Sequence, residues 1–109
     1  MTRHLADLLI QGLQALGPQA IREGVQVPPT TFLAVLERRW GLLLHLAPLV
    51  LTVDDWRALE AWQPADTTAL LQALVAQGDL GVLLWAHEEW FDAVVGGLRE
   101  RLLAAGARR

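Results

Sequence analysis

The sequence predicts a mixed α/β domain in which helices pack on a small sheet with a βαβ-like crossover; an all-α bundle is the alternative. Three observations lead there. Capped segments with a 3.6-residue apolar period mark helices at the start of the chain, after residue 52 and at the end. Two short, almost uniformly apolar runs, residues 42–51 and 81–85, are bounded by turn signals as buried strands are. Helical segments lie between those runs, which is the order a right-handed crossover requires. At 109 residues the chain fits one domain, 1–109, with one core.

Thr2 is placed to cap a first helix whose Leu5, Leu8, Leu9, Leu13 and Leu16 share a stripe, and Gly17 with Pro18 ends it. In AIREGVQVPP, Val25 and Val27 alternate with polar neighbours as a short strand would, and Pro28 and Pro29 stop it. TTFLAVLERRWG (30–41) supports two readings. One is a helix with Thr30 as cap, Arg38 and Arg39 in its last turn and Gly41 beyond. The other, slightly favoured, is a hairpin, FLAVLE–RRWG–LLLHLA, because uniformly apolar runs offer no period to decide by. Pro48 breaks a continuous helix through 42–51 and places the predicted strand at a sheet edge or bulge.

Thr52 caps TVDDWRALEAW, with Asp55 at the third helical position in a variant capping box, and Gln63 with Pro64 ends that helix. Asp66 caps TTALLQALVAQ and Gly78 closes it. In the last helix Phe91, Val94, Val95, Leu98, Leu102 and Ala105 form a continuous stripe. Gly96 and Gly97 interrupt it at a cost of about 2 kcal/mol relative to alanine, which a close helix contact would explain.

Composition narrows the function classes. Apolar side chains make up 53% of the chain before its nine glycines are counted, already above the roughly 45–50% that ordinary domains reach with glycine included. Charged residues are 19%, against about 25%. A small core cannot hide that excess, so self-association, a dimer being favoured, or an unknown protein partner is expected. Ser, Lys, Tyr, Cys and Asn are absent. This removes Ser and Cys nucleophiles and Schiff-base lysine, the Walker phosphate loop and thiolate zinc sites. Catalysis would fall to Asp, Glu, His, Arg or Thr, and the reading leans away from an enzyme. No cofactor is implied.

The longest nearly uncharged stretch, WGLLLHLAPLVLTV, is 14 residues long, short of the roughly 20 a membrane span needs. The first residues lack a signal-peptide pattern, so the cytoplasm is the expected compartment. Net charge is −3, which disfavours nucleic acid. Arg38, Arg39 and Trp40 are the one grouping that could pair and stack with it.

The candidate site is WAHEEW, residues 85–90. In the predicted crossover, TVDD and AHEE both follow the C-terminal ends of parallel strands, the edge where open α/β sheets bind ligands. His87, Glu88, Glu89, Asp54 and Asp55 would converge there. Carboxylates with one imidazole suit Mg²⁺ or Mn²⁺, or His87 as a general base. Against this, both acidic pairs fall in first turns of predicted helices, where the macrodipole stabilises each by about 0.3–1 kcal/mol. HEEW also lacks the second histidine of HExxH. A plain helix start is therefore the favoured reading, and no metal is assigned. His45 reads as a hydrogen-bonded core or half-buried residue and His4 as a solvated one.

Of the five tryptophans, Trp85 and Trp90 bracket the HEE segment, and Trp90 and Trp62 are the interface candidates. The expected function is a non-catalytic, self-associating interaction module. The alternatives are a ligand- or divalent-metal-binding protein using His87, Glu88, Asp54 and Asp55, or a weak nucleic-acid accessory using Arg38, Arg39 and Trp40.

Overall fold

The computed structural model describes residues 1–107 and is helical throughout. Its elements are α1 (Arg3–Leu16), α2 (Pro18–Gly24), α3 (Pro29–Val50), α4 (Val53–Glu60), α5 (Pro64–Val75), α6 (Asp79–Ala86) and α7 (Glu88–Ala107). Among the described residues there is no strand. The predicted sheet, its crossover and the α/β class are therefore wrong, and the helical alternative describes the chain.

Three segments account for the difference. The predicted hairpin is a single helix, α3, that runs through RRWG and through Pro48. Pro48 lies in its last turn, and the helix ends two residues later, with the Leu51 amide donating to the Ala47 carbonyl at 2.9 Å. An internal proline costs about 3 kcal/mol. Phe32, Leu33, Leu36 and Trp40 are all buried along the same helix, at about 1.5–3 kcal/mol each, so burial outweighs the proline. GVLLW belongs to α6, not to a strand. Its Gly81 is a contact residue: a Cβ there would sit 2.1 Å from the Val75 nitrogen and 2.2 Å from the Leu74 carbonyl carbon. That glycine lets α5 and α6 touch backbone to backbone. Val25 and Val27 lie in the turn after α2.

The capped helices match their expected chemistry. The Thr2 hydroxyl accepts from the Leu5 amide at 3.0 Å, and Gly17, at φ 85°, closes α1. At α4 the Thr52 hydroxyl accepts from the Asp55 amide at 3.2 Å while the Asp55 carboxylate accepts from the Thr52 amide at 2.9 Å, a reciprocal capping box. α5 starts earlier than predicted, with Pro64 at its first position, Gln63 as cap and Asp66 as the third residue of a box.

One contiguous core joins the helices. The most extensive contact is between the two longest, α3 and α7, followed by the α5–α6 hairpin. Of the predicted stripe of α7, Phe91, Val94, Val95, Leu98 and Leu102 are buried and Ala105 is half-buried. Of the two glycines that interrupt it, Gly97 faces Leu33 of α3, whose Cδ1 would lie 2.3 Å from an added Cβ, whereas nothing lies within 4 Å of one at Gly96. Close helix contact therefore explains one glycine and not the other. The radius of gyration is 13.0 Å, about what a compact chain of this length should have. Among the described residues no helix is long and apolar enough to cross a membrane.

Candidate functional site

His87 is the joint between α6 and α7. Its φ and ψ of −122° and 47° end α6, its amide donates to the Leu84 carbonyl at 3.0 Å, and its carbonyl accepts from the Phe91 amide at 2.9 Å. Glu88 and Glu89 follow in the first turn of α7, exposed. WAHEEW is thus a helix end joined to a helix start. A hollow of about 380 Å³ lies over that start, lined by Pro64, Thr67, Thr68 and Leu71 of α5 with Glu88, Glu89 and Asp92 of α7.

Asp54 and Asp55 do not line that hollow. Asp54 is exposed in the first turn of α4, whereas Asp55 is fully buried. Its carboxylate accepts from the Thr2 hydroxyl, contacts His4 Nδ1 and accepts from the Thr52 amide. Burial pushes its carboxyl up. The hydrogen bonds from the Thr2 hydroxyl, the Thr52 amide, the His4 ring and the Thr52 hydroxyl outweigh burial and hold it at about 2. Thr2 and Thr52 are the caps of α1 and α4, so one carboxylate joins the starts of both helices. The sheet-edge convergence inferred for these acids vanishes with the sheet. Among the described residues no group of three or more His, Cys, Asp or Glu is placed to hold a metal ion.

The His4–Asp55 pair is the feature that sequence reasoning missed. His4 was expected to be solvated. It is, with 48% of the side chain exposed, but its ring is also held through Nδ1 by the buried carboxylate. The only sequence signal was that two helix-capping threonines, Thr2 and Thr52, each lie within three residues of a member of the pair. His45 departs from expectation. It is exposed, on the lip of a groove of about 750 Å³ between α3 and α7 where Arg101 Nε donates to the Glu37 carboxylate.

The tryptophans divide sharply. Trp40 and Trp56 are core residues. With Trp40 buried, the expected Arg38–Arg39–Trp40 grouping cannot stack on a base, although both arginines are exposed. Trp62 and Trp90 are half-buried, and each indole N–H is bonded within the molecule, Trp62 to the Thr67 hydroxyl at 2.9 Å and Trp90 to the Val27 carbonyl at 3.0 Å. Trp85 is the one presented to solvent, 50% exposed. With Val82 it lines one side of a groove of about 380 Å³ whose other side is Gln72 and Val75 of α5.

A second apolar area follows the outer side of α3 and the corner into α4. Val35, Leu46, Leu49, Val50 and Val53 are exposed there, Leu49 by 83% and Val53 by 62%. Arg38 and Arg39 interrupt this row between Val35 and Leu46, and Asp54 follows Val53 at its other end.

No protein-family model matches the chain, and neither a curated protein nor a solved structure does.

Proposed function

We propose that the protein is a non-catalytic interaction module that pairs with a second copy of itself through the outer side of α3. The observation that carries this reading is the exposed set Val35, Leu46, Leu49 and Val50 on a helix whose opposite side is already buried in the core, continued by exposed Val53 at the start of α4. Monomers rarely leave a large contiguous apolar patch in water, and one with polar edges marks an interface. The charges on either side of the Leu46–Val53 part of the row, Arg38 and Arg39 before it and Asp54 after it, support a two-fold, antiparallel arrangement. In such a pair the Arg38 and Arg39 end of one copy lies against the Asp54 end of the other, and Leu46 and Leu49 meet near the axis.

Burying such a row on both copies yields on the order of 10 kcal/mol gross at about 25 cal/mol per Å², against an association cost of about 4–15 kcal/mol. The balance leaves a weak, exchangeable dimer of folded monomers, with dissociation at about tens of micromolar or above.

Sedimentation velocity over a concentration series spanning that range tests the reading. The natural protein should shift from monomer to dimer, and Leu49→Glu should remain a monomer with an unchanged melting midpoint. A natural protein that stays monomeric at the highest concentration would overturn it.

A further inference from the structure

We infer that the groove between α5 and α6, together with the acidic start of α7, is a docking surface for a cationic amphipathic helix of a partner protein. It uses none of the residues assigned to self-association.

The surface has an apolar part and an acidic part in line. The apolar part is the groove between Gln72 and Val75 on α5 and Val82 and Trp85 on α6. Each pair is three residues apart, so each forms one step of a helical ridge. Val75, Val82 and Trp85 are 37%, 61% and 50% exposed. Gly81 fixes the floor, because its missing Cβ lets the two backbones touch. The walls are therefore helices already packed on each other, and docking orders only their exposed side chains, such as Trp85, at this side.

The acidic part continues along α5. Thr68 lines the hollow over Glu88, Glu89 and Asp92, and Gln72 lines the apolar groove. These two residues are one turn apart on α5, a step of about 5.4 Å. Three carboxylates and no cation line the two hollows. None of the three is in an ion pair among the described residues. The α7 dipole accounts for Glu88 and Glu89 in its first turn. It accounts neither for Asp92 in the second turn nor for an exposed tryptophan beside them.

An apolar ridge followed by positive charge complements that surface. Arginine suits it best, because a guanidinium pairs with carboxylates and also stacks on an indole face such as that of Trp85. Nucleic acids and anionic membranes carry the wrong sign for three unpaired carboxylates.

The test uses the whole protein and labelled synthetic helices of about 18 residues, long enough for five turns. One probe carries a leucine ridge flanked by arginines, and the second replaces every arginine by glutamate. Fluorescence anisotropy should show that the arginine probe binds and the glutamate probe does not. Val82→Glu is the decisive variant. It adds negative charge, so diffuse attraction would tighten binding, whereas docking in the groove requires a loss of about tenfold or more. Trp85→Ala should weaken binding similarly. Joint replacement of Glu88 and Glu89 by glutamine and Asp92 by asparagine should flatten the salt dependence. Leu49→Glu should bind the probe as the natural protein does, which separates this inference from the self-association reading.

Equal binding of both probes, or undiminished binding to Val82→Glu, overturns the proposal. So does loss of the dimer in Val82→Glu, which would assign the groove to a second copy. Capture by phosphatidylserine vesicles that Val82→Glu abolishes would assign it to a membrane instead.

Discussion

Replacing Asp55 by asparagine should be among the most damaging isosteric changes in this chain. The carboxylate is fully buried and joins the cap of α1 to the cap of α4. Its carboxyl lies at about 2 instead of 3.8, a difference worth about 2 kcal/mol in favour of the folded state. Asparagine forfeits that. Its amide group also presents hydrogens to a site of donors, leaving at least one buried group unmatched at about 1–3 kcal/mol. The expected loss is about 3–5 kcal/mol, a melting midpoint lower by on the order of 15 °C or more.

Urea denaturation at neutral pH measures this directly, with the midpoint moving and the slope unchanged. Acid adds a second, independent signature. The unfolded chain binds the proton more readily than the folded one, so the stability is fully present above about pH 4 and is lost as pH falls towards 2. The gap between natural protein and Asp55→Asn should therefore narrow in acid. Asp54→Asn, an exposed change one residue away, should alter stability by no more than about 0.5 kcal/mol. If Asp55→Asn falls in that same small range, or the gap persists unchanged in acid, the double cap does not hold the two helices together.

Three further outcomes are expected. Gly81→Ala should cost about 2–3 kcal/mol or abolish folding, since its Cβ would meet main-chain atoms at 2.1 and 2.2 Å, whereas Gly96→Ala, with open space around it, should stabilise by about 0.5–1 kcal/mol; thermal melts of both decide. Arg99 donates to the Leu59 and Glu60 carbonyls at the C-terminal end of α4, so Arg99→Ala should lose about 1–2 kcal/mol in urea, with lysine restoring part of it. Thr2→Val should reproduce a fraction of the Asp55→Asn loss, and the two changes should combine sub-additively in a double-mutant cycle because they break one network.

The readable and unreadable parts of this fold differ for physical reasons. α1, α4, α5 and α7 pair a cap or first-turn acid with one apolar stripe, and both signals are local. α3 carries apolar residues on its outer side as well as on its inner one. Phe32, Leu33, Leu36, Trp40 and Ala47 face the core while Val35, Leu46, Leu49 and Val50 face outwards, so no period survives in the sequence. α6 was hidden by Gly81, which serves as a contact residue and resembles turn punctuation on paper. The helix start at Glu88 and Glu89 was legible, and its neighbours on α5 were not, because only the packing of the α5–α6 hairpin brings Thr67 and Thr68 there. The capping-box spacing from Thr52 already separates Asp55 from Asp54 in the sequence, but nothing there says that Asp55 is buried. Only the approach of α1 buries one and leaves the other in water.

The two-sided character of α3 also bears on how the chain reaches its native state. A helix with a polar side docks in one orientation, because the wrong rotation would bury charge. α3 has apolar residues to offer on either side, and the main penalty for a half-turn error is the burial of Glu37, Arg38 and Arg39. Early in folding, copies can therefore adhere through whichever side is free. Refolding from urea should be cleanest in dilute solution, with slow phases and lost yield as concentration rises, and Leu49→Glu should relieve both by giving the helix one preferred orientation.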